Sequence, residues 1–237
     1  MKKELFRASD RGHADHGWLD TSHTFSFASY HNPNRVHFGA LRVLNDDFVK
    51  GGEGFGKHPH DNMEIVSIPL SGDLAHTDST GNEKLIRTGD VQIMSAGSGL
   101  MHSEYNGSDT DTVNFLQIWI FPKERDIKPR YEQLTFDKSQ RKDAWQRVVS
   151  PNPDDKAVWI NQDSVFHLAD LSKGKKLTYT FEFADSGVFI MVLSGAVTVG
   201  GQDLQKRDAI GIWETDQVEL VAQEDAELLA IEVPMHI

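Results

Sequence analysis

Two histidines, His58 and His60, stand two residues apart in GKHPHDNME (56–64). On a β-strand, residues i and i+2 project from the same face, so both imidazoles can reach one cation. A second pair with the same spacing, His102 and Glu104, occurs in GLMHSEYN (99–106). Two strands, each turning one such pair toward a shared interior, make a site of three imidazoles and one carboxylate. These ligands suit a first-row transition metal such as iron, manganese, nickel, copper or zinc. On an octahedral ion, four protein ligands leave two positions for water, O2 or a chelating substrate. The chain has no cysteine, which removes disulfides, thiolate nucleophiles and the usual cysteine-bound structural zinc.

Paired strands are needed to bring these groups together, and the texture of the chain is β throughout. FGALRVLND (38–46), EIVSIPLSG (64–72), TVNFLQIWIF (112–121), KLTYTFEF (176–183), VFIMVLSG (188–195) and ELLAIEV (227–233) are short apolar runs separated by Gly, Asp, Asn or Pro. This spacing predicts an all-β protein built as antiparallel sandwiches or barrels. The best helix candidate, FDKSQRKDAW (136–145), is short and polar and reads as connecting material. A boundary near residue 138 follows, with an N-terminal domain over 1–138 and a C-terminal domain over 139–237.

The two halves repeat. EIVSIPLSGDLAHT runs into KLIRTGDVQIMSAG, and VFIMVLSGAVTV runs into QDLQKRDAIGIWE. Each reads as strand, LSG turn, strand, then a turn ending in Asp before a third strand. Gly72 and Gly195 fit turn positions that need positive φ. Offsets taken from these turns carry His58 and His60 to Phe181 and Phe183, and His102 and Glu104 to Leu220 and Ala222. A metal in the first copy and none in the second would produce this contrast.

The chain has 237 residues, a net charge of −12 and no run of lysine and arginine with interleaved aromatics. Direct nucleic-acid binding is therefore not expected, because phosphate neutralisation supplies most of that affinity. No apolar run approaches a membrane span, and the basic N-terminal residues lack the apolar core of a secretory signal. A cytoplasmic monomer is expected.

GEGFGKHPHDNME resembles the first motif of the cupins, with Gly52, His58, His60 and Glu64 in place, and GSGLMHSEYN resembles the second, with His102 and Asn106. Gly97 stands where the second motif usually has proline. RGHADHGWLDTSHTFSFASYHNP, the HPH and HSEYN stretches, LQIWI and PRYEQ together resemble one cupin branch, the bacterial pirins, over essentially the whole chain. The resemblance implies a bicupin, two tandem jelly-roll barrels of the double-stranded β-helix type. It also implies one metal in the N-terminal domain, usually iron(II), held by His58, His60, His102 and Glu104. Zinc, nickel, manganese and copper remain open.

Bacterial pirins have been linked to quercetin 2,3-dioxygenase activity, in which a flavonol chelates the metal and its heterocyclic ring is cleaved with O2 to a depside and carbon monoxide. In that reading Glu104 is also the catalytic base for the flavonol hydroxyl. The alternative is a non-enzymatic iron or redox-sensing regulator acting through a protein partner, as described for animal pirins.

Glu64 and Asn106 are candidates to orient the ligand histidines, and Asn106 could equally hold a turn. Trp18, Phe25 and Phe27 are expected in the core, or on a strand packing on the barrel, rather than in a substrate box. His13, His16, His23, His31 and His37 are expected at the surface or in hydrogen bonds. His76 and His167 receive no role, and His236 is terminal. Pro59 has no N–H to pair, so the strand carrying His58 and His60 should be an edge or irregular strand.

Overall fold

A computed structural model describes residues 1–236, and they are all-β apart from two 3-10 turns. Two units recur, each a seven-stranded sheet facing a four-stranded one. In the first, the seven-stranded sheet runs in the order Arg130–Thr135, Asp90–Ser95, Glu64–Ser71, Val113–Ile120, Leu41–Val49, Leu19–His23, Gly12–Asp15. Its four-stranded partner is Gly54–His60, Leu100–Asn106, Leu74–Asp78, Glu83–Ile86. The second unit repeats the plan around Ser186–Ser194, Ala226–Pro234 and Val165–Leu171, with Lys176–Thr180 at the edge of its small sheet. The predicted helix over 136–145 is a single 3-10 turn, Lys138–Arg141, between the last strand of the first unit and Gln146–Ser150. Its polar residues have no apolar face to bury.

The strand Lys2–Phe6 does not join the unit that follows it. It pairs with Ala209–Trp213 at the edge of the second unit's large sheet. The chain thus laces its two halves together at the start. Phe6 from this strand, Phe25 and Phe38 from the first unit, and Phe189 from the second meet with ring centroids 5.0–5.9 Å apart.

The central strands of both large sheets are buried on both faces, which explains why Glu64–Ser71 and Ser186–Ser194 read as unbroken apolar runs rather than alternating ones. One face is the shared core between the units, holding Leu44, Val66, Ile118, Phe189 and Ile231. The other face is a barrel interior. In the second barrel that interior is filled by Val188, Ile190, Val192, Leu220 and Ala230.

In the first barrel the interior is polar at its middle. Asn45, Asp47, Ser67, His76, His102, Glu104 and Gln117 are all buried there. Large apolar side chains lie above and below, Phe115 and Leu74 in one cluster and Ile65 and Met94 in another.

Gly72 and Gly195 adopt φ of 75° and 77°, as their turns require. The second Asp turn has Arg207 at φ 69°, where the first has Gly89. Arg207 compensates by reaching across the units: its Nε donates to Asp46 at 2.7 Å and its Nη2 to Asn114 at 3.0 Å.

The strand ladders correct the offsets between the copies. Leu74 and Val197 each lie two residues past the turn glycine; Asn106 pairs with the first and Ala222 with the second. Glu104 therefore corresponds to Leu220 and His102 to Val218. Tyr179 faces Val218 as His58 faces His102, so His58 corresponds to Tyr179 and His60 to Phe181. The shift is two residues, which preserves the inward face. Three replacements are apolar. The fourth, Tyr179, donates its hydroxyl to Glu232 at 2.9 Å. Glu232 is fully buried and also accepts from the Glu182 and Phe183 amides and from Ser186 Oγ. Both oxygens of this buried carboxylate thus have hydrogen-bond partners.

Candidate metal centre and cavity

Gly54–His60 is an edge strand, as Pro59 requires, and its pairing with Leu100–Asn106 slips between His102 and Glu104. His58 lies directly opposite His102, and His60 opposite Leu100. The three rings converge, with centroids 4.4 Å apart for His58 and His102 and 4.8 Å for each pair involving His60. His60 also meets the Trp119 ring edge-on at 4.9 Å, which fixes its plane.

The nitrogens are arranged for a cation. His58 Nδ1 lies 2.7 Å from the Gly56 carbonyl, so that nitrogen carries a proton and Nε2 is the atom turned to the other rings. His58 Nε2 and His102 Nε2 face each other at 2.9 Å. Burial, and then the neighbouring imidazoles, hold the His102 pKa far below its usual value; His60 is lowered to about 4 by burial and by His58. Nitrogens this close share one proton or one metal cation.

Glu104 is 2 % exposed, with Oε1 accepting from Ser67 Oγ at 3.2 Å and Oε2 from Gln117 Nε2 at 2.6 Å. No cationic side chain among the described residues pairs with it, and burial pushes its carboxyl up to about 7 despite both hydrogen bonds. A buried carboxylate without a counter-ion is costly, and a metal cation would supply one. The donor set therefore fits a divalent transition metal.

Ligand-capable atoms fall into two overlapping groups, His58–His60–His102 and His76–His102–Glu104, joined at His102. Of the four sequence candidates, His58, His60 and His102 share one group, and Glu104 is linked to it through His102. His76, to which the sequence assigned nothing, lies beside them, directly opposite Glu104 on the neighbouring strand. Its Nε2 is 3.1 Å from Asp78 Oδ2, and its Nδ1 is buried without a partner.

Among the described residues, Glu64 makes no hydrogen bond to a ligand histidine. It accepts from Ser95 Oγ at 2.7 Å and from the Asn161 amide of the second unit at 3.2 Å, so it joins the two halves. Asn106 holds the turn after its strand, donating to the Val49 and Asp111 carbonyls and accepting from the Ser108 amide.

A cavity of about 190 Å³ opens beside the histidines. Its lining includes His58, His60, Glu104, Gln117 and Trp119, and from the N-terminal segments Thr21, His23, Phe27, Asn45 and Asp47. Phe25 is core as expected, and Trp18 packs edge-on to Phe55 at 5.2 Å. Phe27 differs from expectation: it faces the cavity and packs at 88° on Trp119. The signal for Asn45, Asp47 and Gln117 was present in RVLNDDF and FLQIWI, where polar residues interrupt apolar strands on the inward face.

A family model described as Pirin matches residues 5–120, and one described as a quercetinase C-terminal cupin domain matches residues 147–233. The chain is 44% identical over 230 residues to a quercetin 2,3-dioxygenase of Escherichia coli K12, covering 97% of this chain and 98% of that one. It is 40% identical to a pirin-like protein of Caulobacter vibrioides, covering 93% and 95%. The chain belongs to the pirin family. A crystal structure of a bacterial pirin from E. coli in complex with nickel(II) superposes with TM-score 0.93 at 42% identity, covering 98% of this chain and 99% of that one. The bicupin architecture of pirins is the architecture described above. A quercetin 2,3-dioxygenase from Acinetobacter baumannii, 21% identical with TM-score 0.79, shares the fold.

Proposed function

We propose that this pirin holds one divalent transition metal, iron(II) in its working state, through His58, His60, His102 and Glu104, and cleaves the heterocyclic ring of flavonols such as quercetin with O2. The observation that carries the reading is the meeting of three imidazoles with a buried carboxyl, which has no cationic partner among the described residues, beside a partly apolar cavity. The relatives named quercetin 2,3-dioxygenase and the nickel-bound pirin support it.

When bound, the metal supplies Lewis-acid polarisation and a template for a chelating ligand and O2. The residues do the rest. His60, braced by Trp119, and His58, braced by the Gly56 carbonyl, hold fixed ring orientations. Glu104, swung off the metal, accepts the proton of the flavonol 3-hydroxyl at a carboxylate oxygen. Ser67 and Gln117 keep that carboxyl aimed. Phe27 and Trp119 give the ligand rings an apolar surface and limit water.

Oxygen uptake and carbon monoxide release by iron-loaded protein with quercetin test this directly. Uptake matched to quercetin loss is expected. No turnover with any flavonol would overturn the enzymatic reading in favour of a metal-dependent regulator that binds a protein partner.

A further inference from the structure

The cavity has a second polar wall, on the sheet that faces the histidines. Leu19–His23 and Leu41–Val49 pair antiparallel, with Thr21 opposite Asp47 and His23 opposite Asn45. Residues two apart on a strand share a face, and all four line the cavity. They are tied in cross-strand pairs: Thr21 Oγ1 donates to Asp47 Oδ1, and His23 Nδ1 lies 2.9 Å from Asn45 Oδ1. These bonds use one end of each acidic or amide group. Asp47 Oδ2 and Asn45 Nδ2 make no hydrogen bond among the described residues.

The barrel does not need a carboxyl at this place. Gln117 pairs with Ser67 and Asn45 in the first unit as Ala230 pairs with Ile190 and His167 in the second. Asp47 therefore corresponds to Ala169, which lies in the apolar interior of the second barrel. Asp47 is 4 % exposed, has no cationic partner among the described residues, and is pushed up to about 7 chiefly by burial. A buried polar group kept at such cost, with one oxygen free toward a cavity, is a ligand-binding feature.

We propose that Asp47, with Asn45 beside it, determines substrate specificity by receiving a ring hydroxyl of an aromatic ligand whose chelating oxygens face His58, His60 and His102. The inference rests on the flavonol reading and adds to it a preference for polyhydroxylated flavonols over the parent 3-hydroxyflavone, which carries only the chelating pair. Asp47 acts here on binding and is not part of the metal centre.

Absorption titration of nickel(II)-loaded protein under anaerobic conditions tests this, with quercetin and 3-hydroxyflavone as probes and metal content measured alongside. The wild type is expected to bind quercetin about tenfold or more tighter, the scale of one buried hydrogen bond to an ionisable group. Asp47→Ala should weaken quercetin by about tenfold, leave 3-hydroxyflavone unchanged and retain the metal. Asp47→Asn, which keeps a donor and an acceptor, should restore most of the preference. Should Asp47→Ala fail to fold, Asn45→Ala carries the same expected narrowing of the ratio. Equal loss for both ligands, or no loss for quercetin, overturns the inference while leaving the flavonol reading standing. Failure of the wild type to bind either flavonol overturns that reading, and this inference with it.

Discussion

His58 and His102 sit directly opposite each other on neighbouring strands, and their Nε2 atoms face each other at 2.9 Å. Two ring nitrogens at this separation share one proton or one metal cation. The pair is thus a binding arrangement that the fold holds ready.

Removing either partner should remove the metal. His58→Ala and His102→Ala proteins are expected to carry under about a tenth of the wild-type metal by elemental analysis, since ligand loss opens the site. His76→Ala should retain it, because His76 Nε2 is already engaged by Asp78 at 3.1 Å and His76 is outside the assigned set. Stoichiometric metal in His58→Ala would falsify the assigned set.

The carboxyl of Glu104 is aimed by Gln117. Gln117→Leu removes the 2.6 Å bond while keeping the side chain's bulk. Metal affinity, measured by competition with a chelator, should fall by about tenfold or more, as it does when groups that orient ligands are lost. An unchanged affinity would show that Glu104 needs no such support.

Glu64 should matter to stability and not to the metal. Glu64→Ala strands the Ser95 hydroxyl and the Asn161 amide, both in buried surroundings. A loss of about 2 kcal/mol in denaturant unfolding is expected, with metal content unchanged. Loss of metal with unchanged stability would return Glu64 to the role its motif position suggested.

His167 should give a pH signature in the second barrel. Burial, and then Arg147, lower it from 6.5 to about 4. Glu182 lies 3.6 Å from its Nε2, but that carboxylate is already held by two bonds from Arg147. The unfolded chain takes up this proton near pH 6.5 and the folded chain only near 4, so stability falls as pH drops through that window. The full effect is about 3 kcal/mol. His167→Gln should flatten the pH dependence of unfolding by up to that amount in metal-loaded protein; parallel curves for the two proteins would refute it.

The residues of the centre were legible because their signal is local. A strand repeats every two residues, so H-x-H and H-x-E declare one face without knowledge of any partner. The β-class was legible for the same reason, as were the turn glycines and the edge position of Pro59. The short polar stretch over 136–145 misled only in suggesting a helix, since four residues of it form a 3-10 turn. The comparison of the two copies erred by two residues because turn lengths differ between them. A shift of two keeps the inward face, so the contrast between a polar and an apolar interior survived the error.

The sequence by itself thus determined the ligand types, their spacing and the repeated β-plan, all properties of short segments. Only the tertiary structure decided who stands across from them. It set Glu64 against the second unit, His76 beside Glu104, and Asp47 and Asn45 on the wall facing the histidines. It also sent the strand Lys2–Phe6 into the far sheet. Those relations depend on register, bulges and the packing of two sheets, which join residues far apart in the chain and leave no local trace.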